Sequence, residues 1–145
     1  MSIVSADTNL FLYAANPDSP HHHAAMRFFS LAGVDDEFVV CELVLVELYM
    51  LLRNPAVLAR PLSGADATAF CARLRLNRGW QHVDYEPAVS ERLWKWAGAT
   101  SAGFRRIIDA RLALTLRHHG VLRFATANGK DFQEFGFDEV WSPLD

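Results

Sequence analysis

A chain of 145 residues is about one domain long and buries roughly two-thirds of its unfolded surface, enough for a core of its own, so a single domain over residues 1–145 is expected. Its 51% apolar and 21% charged residues are ordinary for a soluble globular protein and exclude the disordered and membrane classes. The net charge of −3 excludes a broad basic surface that grips duplex DNA without sequence preference; it leaves room for a nucleic-acid enzyme, because a metal site built of carboxylates itself lowers the charge.

The longest apolar run, Phe38 to Leu52, is interrupted by Glu42 and Glu47, so no stretch reaches the roughly 20 residues of a membrane span. The start lacks a basic segment and reads at once as a strand, which predicts no signal peptide and a cytoplasmic protein. Cys41 and Cys71 lie in apolar contexts without metal-ligand spacing and read as reduced core residues.

In chain order, Ile3 to Ala6 is a short strand that ends abruptly on Asp7-Thr8-Asn9. A carboxylate at a strand's carboxyl end points where open α/β sheets bind ligands, although Asp7 equally suits a turn or a helix cap. Leu10 to Ala15 reads as a short helical turn, and Ser19-Pro20 predicts a helix from Pro20 to Ala32 opened by His21, His22 and His23. Neighbours on a helix point about 100° apart, so these histidines cannot all face one ion.

Glu37 to Cys41 reads as a buried strand and Glu42 to Leu52 as a helix apolar nearly all round, hence central. Glu42 sits in the first turn, where the helix dipole accounts for it. Glu47 sits mid-helix among Leu43, Val44, Leu48 and Leu51, where an unpaired carboxylate costs several kcal/mol or takes up a proton. The two are about 140° apart round the helix and cannot serve one site. Glu47 is the one that requires a cation.

Ser63 caps a helix through about Asn77, Trp80 to Asp84 reads as a strand, and Pro87 starts a helix to Ala99 whose Trp94 and Trp96 read as core or a subunit contact. Thr100 to Arg106 reads as a loop. Ile107 to Ala110 opens a helix that sets Ala110, Ala113 and Leu114 on one face and ends on Gly120; Asp109 is either its N-cap or a ligand presented at its start. His118 and His119 are explained by the dipole of the last turn. Val121 to Ala125 is a strand, Thr126 to Phe132 a polar turn entering a short helix, and Asp138 to Trp141 a last strand. Alternating strands and helices predict an α/β fold with a mostly parallel sheet.

Asp7, Glu47, Asp109 and Asp131 thus come from separate segments that converge above such a sheet. Oxygen ligands without His or Cys select Mg²⁺ or Mn²⁺, which activate a water and clamp the oxygens of an in-line phosphoryl displacement. Phosphodiester hydrolysis is the expected reaction.

The order Asp7-Thr8-Asn9, Glu47 in an apolar helix, Asp109-Ala110 before Leu112-Ala113, then Thr126-Ala127-Asn128 with Asp131-Phe132, resembles the PIN-domain ribonucleases along the whole chain. The stretch Asp7 to His22 is similar in particular to the VapC toxins of bacterial toxin–antitoxin pairs. The resemblance implies a three-layer α/β/α fold, Mg²⁺- or Mn²⁺-dependent cleavage of RNA, a homodimer, and a cognate antitoxin that occupies the acidic cleft. It implies Asp7, Glu47 and Asp109 as metal ligands and Thr126 as the supporting hydroxyl, with Asn9 and Asn128 beside them. The chain departs from the family where many members place Asp two residues after the Thr: it has Asn128 there and Asp131 three further on, so either could complete the site. Asp131 could alternatively cap the short helix Phe132 to Phe135.

Two other classes compete. A haloacid-dehalogenase-like phosphoryl-transfer enzyme would need a second acid where Asn9 stands. A catalytically silent PIN-like module binding RNA or protein would show lost acids, and the principal ones are present.

Overall fold

The computed structural model describes residues 2–144. Strands β1 (Ile3–Ala6), β2 (Glu37–Cys41), β3 (Trp80–Val83), β4 (Arg123–Ala125) and β5 (Glu139–Trp141) form one sheet in the order β3-β2-β1-β4-β5. All neighbours run parallel, with Val4 opposite Phe38 on one side of β1 and opposite Arg123 on the other. A sheet covered on both faces has continuous rather than alternating apolar strands, and β2 accordingly buries Phe38, Val39, Val40 and Cys41 in succession. The hydroxyl of Ser5, buried in β1, is satisfied by donating to Val39 O at 2.6 Å.

Helices α1 (Thr8–Ala15), α2 (His22–Leu31), α3 (Glu42–Leu52) and α4 (Gly64–Arg75) form one packed group, in which α1 touches α2 and α3, and α3 touches α4. Helices α5 (Pro87–Ala99) and α6 (Arg106–His118) pack on each other, and α6 lies against β2. The architecture is the expected three-layer α/β/α arrangement. No helix among the described residues is long and apolar enough to cross a membrane.

Strand β2 and helices α3 and α5 span the predicted residues, and α4 starts as predicted after Ser63, whose Oγ accepts from Asp66 N–H at 3.1 Å. The carboxyl end of α6 is closed by Gly120, whose positive φ of 83° lets its N–H reach Arg117 O and lets Val121 N–H reach Leu116 O. Leu116, whose carbonyl takes part in that closure, is fully buried.

Several expectations need correction. Helix α2 begins at His22 rather than Pro20, because Ser19 Oγ accepts from His21 N–H and Ser19 O from His22 N–H, which makes the first turn tighter than α. Helix α3 is not apolar-buried all round: Val44, Leu45, Leu48 and Leu52 are inside, each burial worth about 1.5–3 kcal/mol, while Val46 and Met50 face solvent. Trp94 is 65% exposed and so is no core residue; Trp96 is half-buried, stacked obliquely on Phe135 and donating to Glu134 Oε1 at 2.6 Å. The expected helix Phe132 to Phe135 is replaced by two tight 3₁₀ turns, Gly129–Asp131 and Gln133–Phe135.

Candidate active site

The strand order fixes where a site can form. The chain runs from β1 outward to β2 and β3 on one side, then returns to add β4 and β5 on the other, so the carboxyl ends of β1 and β4 part into the crevice where such sheets bind ligands. Asp7 and Thr126 are the first residues beyond those two strands. Asp7 N–H donates to Ala125 O at 2.9 Å, Thr126 Oγ1 donates to Asp7 Oδ2 at 2.8 Å, and Thr8 N–H donates to Asp7 Oδ1 at 2.8 Å. Asp7 is therefore the N-cap of α1 while its carboxylate faces the crevice, and the two readings of the sequence coexist. Asn128 enters through its backbone: its N–H donates to Thr126 Oγ1 at 3.0 Å, leaving that hydroxyl's own proton for Asp7.

Glu47 reaches the same place from α3. Thr8 Oγ1 donates to Glu47 Oε1 at 3.2 Å, tying α3 to the first turn of α1. Asp109 comes from α6. It is not the N-cap, because the helix already starts at Arg106; one turn in, its carboxylate meets Arg106 Nε at 3.2 Å. Asp131 does not cap a helix either, since the turn after it starts on Phe132 with no side-chain cap; its carboxylate lies 3.7 Å from Arg106 Nη1. Asn9 sits on the first turn of α1, half-buried.

Electrostatics shows that these acids share one field. Burial pushes the Asp7 carboxyl above its ordinary 3.8, with the Thr126 and Thr8 bonds opposing and the Asp131 charge adding to the rise. Glu47 is pushed above its ordinary 4.5 by burial first, against the Thr8 bond, and then by the charges of Asp7 and Asp109. Asp109 rises above 3.8 through burial and the Asp7 charge, with Arg106 pulling the other way and Asp131 adding to the rise. A cluster in which ionised groups are desolvated and repel each other is short of positive charge.

The donor set, carboxylates with threonine hydroxyls, fits a hard divalent cation and no soft one. As the side chains stand, no three His, Cys, Asp or Glu residues among those described close on a point tightly enough to hold an ion. The fit rests on donor chemistry and unbalanced charge.

Arg106 is the site residue that sequence reasoning missed. Besides Asp109 and Asp131 it approaches Glu134 Oε2 at 4.0 Å, and its Nη2 donates to Asp131 O at 2.5 Å. Its i,i+3 spacing to Asp109 was the one local signal. The residues set aside do lie elsewhere. His22 Nδ1 donates to Tyr13 O at 3.0 Å and His21 packs on the Tyr13 ring, so the histidine run serves packing. Cys41 and Cys71 are free and buried. Beside Glu47, Leu43, Val46, Met50, Leu51 and Ile108 line an apolar trough of about 340 Å³.

Comparison with known proteins identifies relatives of the whole chain. The PIN domain matches residues 4–138. Ribonuclease VapC24 of Mycobacterium tuberculosis is 49% identical over 142 residues, covering 98% of this chain and 97% of the relative. Among solved structures, Mycobacterium tuberculosis VapC20, described as a Sarcin-Ricin loop cleaving toxin, superposes with a TM-score of 0.73 at 21% identity over 92% of this chain and 95% of its own. VapBC-1 from nontypeable Haemophilus influenzae gives 0.61 at 18% identity, covering 98% of each chain. FitAcB from Neisseria gonorrhoeae gives 0.60 at 19%, covering 97% of each. Those identities speak for the fold alone.

Proposed function

This chain belongs to the PIN domain family, and on that premise we propose that it is a metal-dependent endoribonuclease that hydrolyses RNA phosphodiester bonds as the toxin of a type II toxin–antitoxin pair. The observation that carries the reading is that Asp7, Glu47 and Asp109, three acids from separate elements, are each held above their ordinary range, by burial first and then by neighbouring carboxylates, with the Asp7 charge acting on both Glu47 and Asp109. In this reading they hold Mg²⁺ or Mn²⁺, with Asp131 as the fourth acid. The ion, when bound, supplies an activated water and charge for the phosphate oxygens.

The remaining work falls to the chain. Thr126 holds Asp7 in one rotamer, and the backbone of Asn128 holds Thr126, a relay that orients a ligand as outer partners do in metal sites. Thr8 does the same for Glu47. Asn9 lies within the same turn and completes the polar rim. On the loop feeding α6, Phe104 is 86% exposed with the Arg105 guanidinium over its ring, a pair suited to stacking on an unpaired base.

The named relatives include toxin–antitoxin complexes, and the apolar trough beside Glu47 suits an amphipathic antitoxin segment whose basic side chain reaches the acids. A homodimer acting in the cytoplasm completes the proposal, with exposed Trp94 as a contact. The test is a cleavage assay on single-stranded and structured RNA with Mn²⁺ and with chelator, beside expression with and without the neighbouring reading frame. Cleavage that needs metal and growth arrest relieved by the partner are expected. A protein that binds RNA, leaves it intact and does not arrest growth is instead the silent module.

A further inference from the structure

We propose that Arg106 supplies the second positive charge of this site, so that the chain holds one divalent ion and not two. The inference rests on the ribonuclease reading and specifies it. The acids divide into two halves. Asp7 and Glu47 have hydroxyl and backbone donors, with no cationic side chain paired to either among the described residues. Asp109 and Asp131 face one guanidinium, at 3.2 and 3.7 Å, with Glu134 at 4.0 Å on its outer edge.

That guanidinium is anchored independently of the acids' charge, because Nη2 also donates to the backbone carbonyl of Asp131 at 2.5 Å. Two-metal nucleases hold their ions about 3.5–4 Å apart and bridge them with shared acids. Asp109 and Asp131, the acids that would have to hold a second ion, already face a cation that cannot discharge itself by losing a proton. A second divalent ion would have to displace the side chain or stand against its charge. Arg106 Nε is itself buried against Asp109 at 3.2 Å, which keeps the guanidinium in place between the two acids. Arg106 thus positions Asp109 and Asp131 and balances their charge.

Mn²⁺ alone, titrated calorimetrically into the full chain, tests this by counting ions, a readout that a merely structural arginine would leave unmoved. The wild type should take up one ion per chain. Arg106→Gln keeps a polar amide, loses the charge, and should admit a second, weaker ion; adding Asp131→Asn to it should return the count to one. The same Arg106→Gln should cut RNA about 100-fold more slowly, as expected for losing one preorganised charge, and Arg106→Lys should keep the single ion and lose less. Two ions in the wild type, or a single ion in a folded Arg106→Gln, would overturn the inference. If Arg106→Gln fails to fold, two ions in Arg106→Lys overturns it and one supports it. A wild type that cuts RNA with two ions defeats this inference alone; one that binds no Mn²⁺ and cuts nothing defeats the ribonuclease reading as well.

Discussion

At the start of α3, Glu42 accepts from Arg75 Nε at 3.0 Å and Nη2 at 2.9 Å and lies 2.7 Å from His82 Nε2; further along the same helix, Glu47 accepts one 3.2 Å bond from a neutral hydroxyl. The first bond to Arg75 holds the Glu42 carboxyl below its ordinary 4.5, helped by His82, whereas burial and the charges of Asp7 and Asp109 hold Glu47 above it. The residue type, the helix and the apolar neighbourhood are shared. What differs is whether the fold has already neutralised the charge. A carboxylate that its cationic partners hold below the ordinary range is structural; one that burial and like charges hold above it, as Asp109 is even beside Arg106, is available to a ligand.

The strongest way to break that contrast is to neutralise the acids held above their ordinary range. Asp7→Asn or Asp109→Asn should reduce Mn²⁺-dependent RNA cleavage to background, while the melting temperature without metal holds or rises as repulsion is relieved. Wild-type cleavage in either variant would remove the basis of the comparison.

A direct contest on α3 comes next. Glu47→Gln should weaken Mn²⁺ binding about 100-fold by calorimetry, at least what the loss of an orienting partner costs at metal sites, and Glu42→Gln should leave it unchanged. Glu42→Gln should instead lower stability by up to about 1 kcal/mol, the scale of a half-exposed ion pair. Equal losses of metal affinity would show that partner chemistry does not separate the two acids.

Denaturant titrations against pH sharpen the contrast without ions. Folded Glu47 keeps its proton to higher pH than the unfolded chain does, so the native state binds more protons above 4.5 and stability falls as pH rises through that window, the cost being complete above the raised value. Asp7 and Asp109 act in the same sense from 3.8 upward. Glu42 acts oppositely: its contribution is present above 4.5 and is lost as pH falls through its depressed folded value. Glu47→Gln should flatten the decline at higher pH and Glu42→Gln the loss on the acid side, and added Mn²⁺ should reverse only the former.

The smallest stability effect is expected at Asp131. Because it caps nothing, Asp131→Asn should slow cleavage while changing stability by less than about 0.5 kcal/mol, measured by thermal melting. Asn128→Ala should matter less still, since Asn128 acts on Thr126 through its backbone N–H.

Much of this was readable in the sequence because it is local. The EFVVC run of β2, the apolar spacing of α3, Pro87 before α5 and Gly120 after α6 each state their element within a few residues. Glu47 was legible as an anomaly, a charge where neighbouring residues predict a core, and Asp7 as a carboxylate at a strand end. The errors were local decisions overruled nearby: Ser19 made a tighter turn than a cap, and the residues after Asp131 coiled into 3₁₀ turns.

By itself the sequence determined the alternation of strands and helices, the parallel sheet, and which acids lack a local explanation, because periodicity and capping act over one or two turns. Only the tertiary structure decided the order β3-β2-β1-β4-β5, which opens the crevice between β1 and β4 and brings Thr126 to 2.8 Å from Asp7. It also decided which acids are already paid in positive charge. Glu42 meets Arg75 and His82 from α4 and β3, and Arg106 meets Asp131 from beyond β4. Ion pairing depends on distance through space, and residues far apart in the chain acquire that distance only when the layers close.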